Sequence, residues 1–237
     1  MTKVIWPFGI LLLPVLLACS QGRAAAAEED GVALAIVFDT SGSMKTSVRD
    51  AAGGQTPKYI IAGRALESIV QRIQHFATNA PGGPTRKIQA GLFSFSGKEA
   101  VESVRFGPFE PTVFQAWAKN SSRPTNATPL GKALRLAGRA LLDSKLSQKH
   151  VLVITDGLNT IDPDPVEVVP KITKEAIARN ERVFIHFVAF DVDAKVFAPL
   201  KKLGVTVVGA TDEKQLNQQL EFILAKKILL EDEEPKK

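Results

Sequence analysis

The sequence predicts an α/β domain, doubly wound, with a mostly parallel central sheet, helices on both faces and one antiparallel edge strand. Three observations carry this. Short, continuous apolar runs such as Val32–Phe38 and His150–Thr155 read as strands buried on both faces. Amphipathic stretches of helical period separate them. The two kinds of segment alternate along the chain, which implies crossover connections and a parallel sheet covered on both sides.

The elements follow in order. After the strand over 32–38, Lys58–Asn79 sets Ala62, Leu66, Ile69, Val70, Ile73 and Phe76 on one helical side, and Pro81-Gly82-Gly83-Pro84 ends it. Ile88–Phe95 is the second strand. Val101–Phe106 alternates more with polar residues and is assigned to the edge. Residues 107–128 are irregular, with one short helix around Phe114–Ala118. Helix Pro129–Leu142, strand His150–Thr155, helix Val166–Asn180 and strand Val183–Phe190 come next. Helix Ala194–Lys202, a short strand Thr206–Val208 and a last helix Glu213–Leu230 complete the pattern, with Leu216, Leu220, Ile223 and Leu224 inward.

At 237 residues the chain has material for one domain with an ample core. The formal charge of +5 is spread along the chain, without the basic stripe and interleaved aromatics that nucleic-acid binding needs. No nucleic-acid partner is expected. The N-terminus carries Lys3 and an apolar run from Val4 to Ala18, short for a membrane span and right for a signal sequence. The only cysteine, Cys19, ends Leu16-Leu17-Ala18-Cys19, which resembles the lipobox of bacterial lipoproteins. That resemblance implies acylation of Cys19 and a membrane tether through lipid; the alternative is ordinary signal cleavage within Ala24–Ala27. The organisation expected is therefore a signal peptide with lipobox (1–19), a linker (20–30), the domain (31–230) and a charged tail (231–237).

In open parallel sheets, ligands collect beyond the carboxyl ends of the strands. There the first strand runs into Asp39-Thr40-Ser41-Gly42-Ser43, a carboxylate and two hydroxyls at alternate positions. The fourth strand runs into Asp156-Gly157, and Thr128 precedes the helix at 129 within Asn126-Ala127-Thr128-Pro129-Leu130-Gly131. Hard oxygen donors without histidine or cysteine suit Mg²⁺, Mn²⁺ or Ca²⁺ rather than a typical zinc site. Each motif alone has a plainer reading: Asp39 and Asp156 as turn residues, Thr128 as a helix cap before Pro129.

Taken together, in this order and spacing, the Asp-x-Ser-x-Ser loop, the Thr-Pro-Leu-Gly turn and the Thr-Asp-Gly turn resemble the von Willebrand factor type A (VWA) domain. The resemblance covers roughly residues 31–228, including the lysine-led helix from Lys58. It implies a metal-ion-dependent adhesion site made by Asp39, Ser41, Ser43, Thr128 and Asp156, with Mg²⁺ as the expected ion. It also implies a protein partner whose exposed Asp or Glu completes the coordination. Two features depart from the family pattern. Asn126-Ala127 stands where a glycine is common before the threonine, and Lys45–Pro57 is long and polar.

The expected function is a metal-dependent protein-binding module at the bacterial cell envelope, not an enzyme. Alternatives are a structural subunit with a stabilising metal and, less favoured, a metal-dependent hydrolase. Hydrolysis needs a base or second metal near the bound water. His75 is expected on or near the buried side of its helix, and His150 and His186 in strands; none is placed to act. Asn126–Lys132 only brushes a phosphate-binding loop, because Ala133 stands where Ser or Thr is required. Asp162-Pro163-Asp164-Pro165 is read as a rigid loop that could border the site, and Asp191-Val192-Asp193 as a helix cap.

Overall fold

The computed structural model describes residues 29–78, 86–120, 124–125, 127–161 and 163–230. The lipobox and Cys19, residues 20–28 of the expected linker, and the tail from 231 lie outside the described residues.

Strand β1 (Glu29–Asp39) includes Glu29 and Asp30, ahead of the apolar run at 32–38. Its side chains alternate between two cores. Val32, Leu34, Ile36 and Phe38 enter one, and Ala33, Ala35 and Val37 the other, as a strand covered on both faces requires. After a 3-10 turn at Gly42–Lys45, the polar stretch before residue 58 folds into a hairpin of β2 (Ser47–Arg49) and β3 (Gln55–Pro57). Asp50 holds it, accepting from the amides of Ala52 and Gly54 and from the Thr56 hydroxyl. Hydropathy does not reveal this hairpin, because Val48 is the one core residue in two strands of three residues each.

Helix α1 (Lys58–Thr78) buries the predicted stripe against the Leu34 face. Strands β4 (Lys87–Ser96) and β5 (Glu99–Pro108) pair antiparallel, and β5 is the edge. Helix α2 (Pro111–Asn120) is longer than expected; Trp117 meets Phe38 edge-on with ring centroids 5.3 Å apart. Helix α3 (Leu130–Asp143) lies on the Ala33 face, leading to β6 (Leu146–Thr155), which begins four residues before the apolar run. The early part of β6 escapes hydropathy because it contains Lys149, fully buried.

Helix α4 (Pro165–Ala178), β7 (Val183–Phe190), a 3-10 turn at Ala194–Phe197 with α5 (Ala198–Lys202), β8 (Thr206–Ala210) and α6 (Glu213–Ile223) follow. The last helix continues as a π-turn at Leu224–Ile228, rather than as uniform α-helix to residue 230. The main sheet has six strands in the order β5-β4-β1-β6-β7-β8, all parallel except β5. Helices α1, α2 and α6 cover one face, and α3, α4 and α5 the other. Among the described residues no helix is long and apolar enough to cross a membrane.

Each histidine has a structural role or a surface position. His75 is exposed, not on the buried side of α1, because it stands about 200° around the helix from Ile73, while Phe76 and Ala77 still pack against the core. His150 and His186 are buried neighbours on β6 and β7, Nδ1 to Nε2 3.2 Å, stacked with Phe184 outside. Burial holds both imidazoles neutral, His150 down to about 3 and His186 to about 4.

Candidate metal centre

The chain leaves β1 toward β4 over one face and reaches β6 over the other, so the carboxyl end of β1 sits where the winding reverses. Asp39 ends β1 and Asp156 directly follows β6, its parallel neighbour. Beyond Asp39 the backbone stays extended. Thr40 turns away, its amide and hydroxyl both donating to the Phe95 carbonyl at 3.1 and 3.0 Å. Asp39 and Ser41 are thereby left on the site side, and the 3-10 turn at Gly42–Lys45 carries Ser43 back to them.

These groups form a continuous chain. The Ser41 amide donates to Asp39 Oδ1 at 2.7 Å, and the Ser41 and Ser43 hydroxyls lie 3.1 Å apart. The Ser43 hydroxyl donates to Asp156 Oδ1 at 2.6 Å. A parallel bridge between Ser41 and Thr125 brings the second loop alongside. The Ser43 and Thr128 hydroxyls open onto the same space beside Gly157, where a Cβ would meet them at 3.8 and 4.0 Å. All five residues selected from sequence are thus brought together.

Thr128 is not used as a helix cap. Pro129 occupies the cap position of α3, without a side-chain capping bond. The Thr128 amide instead donates to the Thr160 hydroxyl at 2.8 Å, and the Thr160 amide returns to the Thr128 carbonyl at 3.0 Å. Asn159 Oδ1 accepts from the Gly131 amide at 3.1 Å. A Cβ at Gly131 would stand 1.8 Å from the Pro163 carbonyl oxygen, so only glycine lets the second and third loops approach this closely. Ala127 takes a φ of +69°, the left-handed region, at the position where glycine is common in the family. Ala127→Gly is expected to raise stability by up to about 1 kcal/mol, since relief of the Cβ clash outweighs the added freedom of the unfolded chain. Urea unfolding of the two proteins reads this directly.

Sequence reasoning missed several supporting residues. Thr155 donates its hydroxyl to Asp39 Oδ2 at 2.6 Å. Lys58, the first residue of α1, places its ammonium 2.6 Å from Asp156 Oδ2 and 3.1 Å from Asp191 Oδ2. Of the expected capping segment Asp191-Val192-Asp193, Asp191 pairs with Lys58 and the cap is Asp193. Asp193 caps the following 3-10 turn, and Asp164 caps α4 through the Val166 amide. Asp162 lies outside the described residues. The sequence signal for Lys58 was only its place at the head of a helix.

Asp39 is fully buried, with no ion-pair partner among the described residues. Burial pushes its carboxyl up to about 6, helped by the nearby Asp156 charge and opposed by the Ser41 and Thr155 hydrogen bonds. Around it, three carboxylates (Asp39, Asp156, Asp191) face one ammonium, leaving two formal negative charges, the complement of one divalent ion. No group of three or more His, Cys, Asp or Glu side chains placed to hold a metal ion arises among the described residues, so a cation here would need the hydroxyls as donors. A hard cation fits this set.

Residues 34–159 match the model of the von Willebrand factor type A domain, and the chain belongs to this family. Its fold is similar to that of the PilB minor pilin from Streptococcus sanguinis, at 14% identity, with 84% of this chain and 62% of that one covered and a TM-score of 0.62. It is similar to the pilus adhesin SpaC from Lactobacillus rhamnosus GG, at 17% identity, with 85% and 31% covered and a TM-score of 0.63. It is also similar to proximal thread matrix protein 1 from the mussel byssus, whose adhesion motif holds zinc, at 16% identity, with 84% and 48% covered and a TM-score of 0.60. The chain spans less than two thirds of each of these proteins, and at such identities the likeness carries the fold alone. No protein of curated function matches the chain in sequence.

Proposed function

We propose that the chain is a divalent-metal-dependent protein-binding module of the bacterial cell envelope. Asp39, Ser41, Ser43, Thr128 and Asp156 would hold the ion, with Mg²⁺ the expected one and Mn²⁺ or Ca²⁺ chemically similar. An acidic side chain of a partner would complete its coordination. The observation that carries this reading is the convergence of five oxygen-bearing side chains around a buried carboxylate that lacks a cation of its own. Two of these residues are carboxylates and three are hydroxyls, five donors where Mg²⁺ prefers six oxygens, so a coordination position would remain for a partner.

The fold neighbours include a pilus adhesin and a minor pilin, which is consistent with adhesion or assembly. Acylation at Cys19 would tether the module to a membrane surface. The reading favours binding over catalysis because no histidine lies at the site. Lys58 starts α1 beside the site, and His75 lies 17 residues further along it, about 25 Å at 1.5 Å per residue. His150 and His186 are held neutral in the core, engaged with each other.

Capture from envelope extracts on the immobilised full chain tests the proposal. A partner should be retained in Mg²⁺, and lost both in EDTA and on Asp39→Ala. Retention of the same partner under all three conditions would place the binding surface elsewhere.

A further inference from the structure

The buried lysine at the head of α1 is not a ligand, yet it is built into the same charge cluster. Its side chain is 5% exposed, and lysine is rarely buried unless paired. One ammonium bridges two carboxylates, Asp156 at 2.6 Å and Asp191 at 3.1 Å. The other oxygen of Asp156 accepts the Ser43 hydroxyl, so Lys58 stands one carboxylate away from the hydroxyl cluster.

Both ends of this bridge are anchored independently. The Lys58 amide donates to the Thr46 carbonyl at 2.9 Å, which fixes the start of α1. Asp191 sits at φ +54° with its amide donating to the Ala210 carbonyl at 2.7 Å. Aspartate tolerates that conformation better than most residues.

We infer that Lys58 is a resident counter-cation that weakens the site's hold on its divalent ion and keeps the loaded site receptive to an acidic partner. This rests on the proposed metal site. With the ammonium in place, three carboxylates are balanced by one monovalent and one divalent charge, and an incoming carboxylate meets a formally neutral centre. Without it, the loaded centre carries a net negative charge that repels the same carboxylate. A fixed positive charge this close also opposes the metal itself, in a pocket where burial limits screening.

The test is Mn²⁺ binding by isothermal calorimetry on the full chain, comparing wild type with Lys58→Met, Lys58→Gln and Lys58→Arg. Methionine removes the charge at similar volume, glutamine keeps a hydrogen-bond donor for Asp156, and arginine keeps the charge. The neutral variants should bind Mn²⁺ roughly ten-fold more tightly. The arginine variant should stay within about two-fold of wild type, a rescue that a merely structural role would not require. Addition of acetate to the Mn²⁺-loaded proteins, followed by water-proton relaxation, should displace less bound water from the neutral variants than from wild type. If Lys58→Met fails to fold, Lys58→Gln decides. Equal or weaker Mn²⁺ binding by a folded neutral variant, or tighter binding by the arginine variant too, overturns the inference. A wild-type chain that binds no divalent ion removes the metal site itself, and the inference with it.

Discussion

Asparagine in place of Asp39 is expected to abolish the thermal stabilisation that Mg²⁺ or Mn²⁺ gives the wild-type chain. In chelator at pH 7.5, the same change is expected to raise the melting temperature. Both effects come from one buried carboxylate. Its folded-state value of about 6 lies above the ordinary 3.8, so between those values the folded chain binds a proton that the unfolded chain has released. Asp39 therefore contributes stability below pH 3.8 that is lost as pH rises through about 6. A shift of about two pH units corresponds to a cost near neutrality of about 3 kcal/mol, and asparagine does not incur it. For a chain of this size that is a rise of roughly 5–10 °C.

The pH profile separates this group from the histidine pair. His150 and His186 lie below their ordinary 6.5 when folded, so their contribution is present above 6.5 and lost as pH falls toward about 4 and 3. The difference between wild type and Asp39→Asn in chelator cancels the histidines and should change mainly between pH 4 and 6. A variant that is still stabilised by Mg²⁺ as strongly as wild type would remove Asp39 from the metal site.

Much of this site was legible because its residues sit at points that periodicity marks. Asp39 and Asp156 each close a buried apolar run, and a run that ends in a carboxylate at the carboxyl edge of a parallel sheet has few structural uses. Thr128 could be placed only through the ordered triple of motifs, since alone it reads equally well as a cap. What the sequence concealed is the support. Thr155, Thr160 and Asn159 act through hydrogen bonds between loops 28 to 116 residues apart, and no local pattern carries such pairings. Lys58 and Asp191 meet across 133 residues for the same reason.

The fold shows a similar division. The strands of the sheet were found by hydropathy, and their errors are end errors where polar residues are drawn into the ladder, as at Glu29 and at Leu146–Lys149. The hairpin at Ser47–Pro57 was missed because it is held by the Asp50 carboxylate and by an outside contact, the Glu213 side chain accepting from the Ala51 amide at 2.8 Å. His75 lies between Ile73 and Phe76 in sequence but about 200° around α1 from Ile73, so it faces solvent rather than the expected buried side.

Removal of the Glu181 carboxylate is expected to be among the most destabilising single changes in the chain. Lys149 lies on β6 with no exposed surface, its ammonium 3.2 Å from Glu181 Oε1 and donating to the Leu146 carbonyl at 3.0 Å. Glu181 reaches it from the turn after α4, where its own amide is held by the Ala176 carbonyl at 2.9 Å. Glu181→Ala leaves a buried ammonium with one neutral acceptor, and breaking such a pair costs about 3–5 kcal/mol. That is a fall in melting temperature of roughly 10 °C for a domain of this length. Lys149→Met should cost less, because the carboxylate it leaves unpaired is partly exposed and can be hydrated, whereas the ammonium is fully enclosed. The double variant should then recover most of the loss, giving a coupling of about 2 kcal/mol or more in a double-mutant cycle. Thermal unfolding in chelator measures all four proteins without reference to the metal. A Glu181→Ala chain as stable as wild type would mean that water reaches the ammonium and that the pair with Glu181 contributes little.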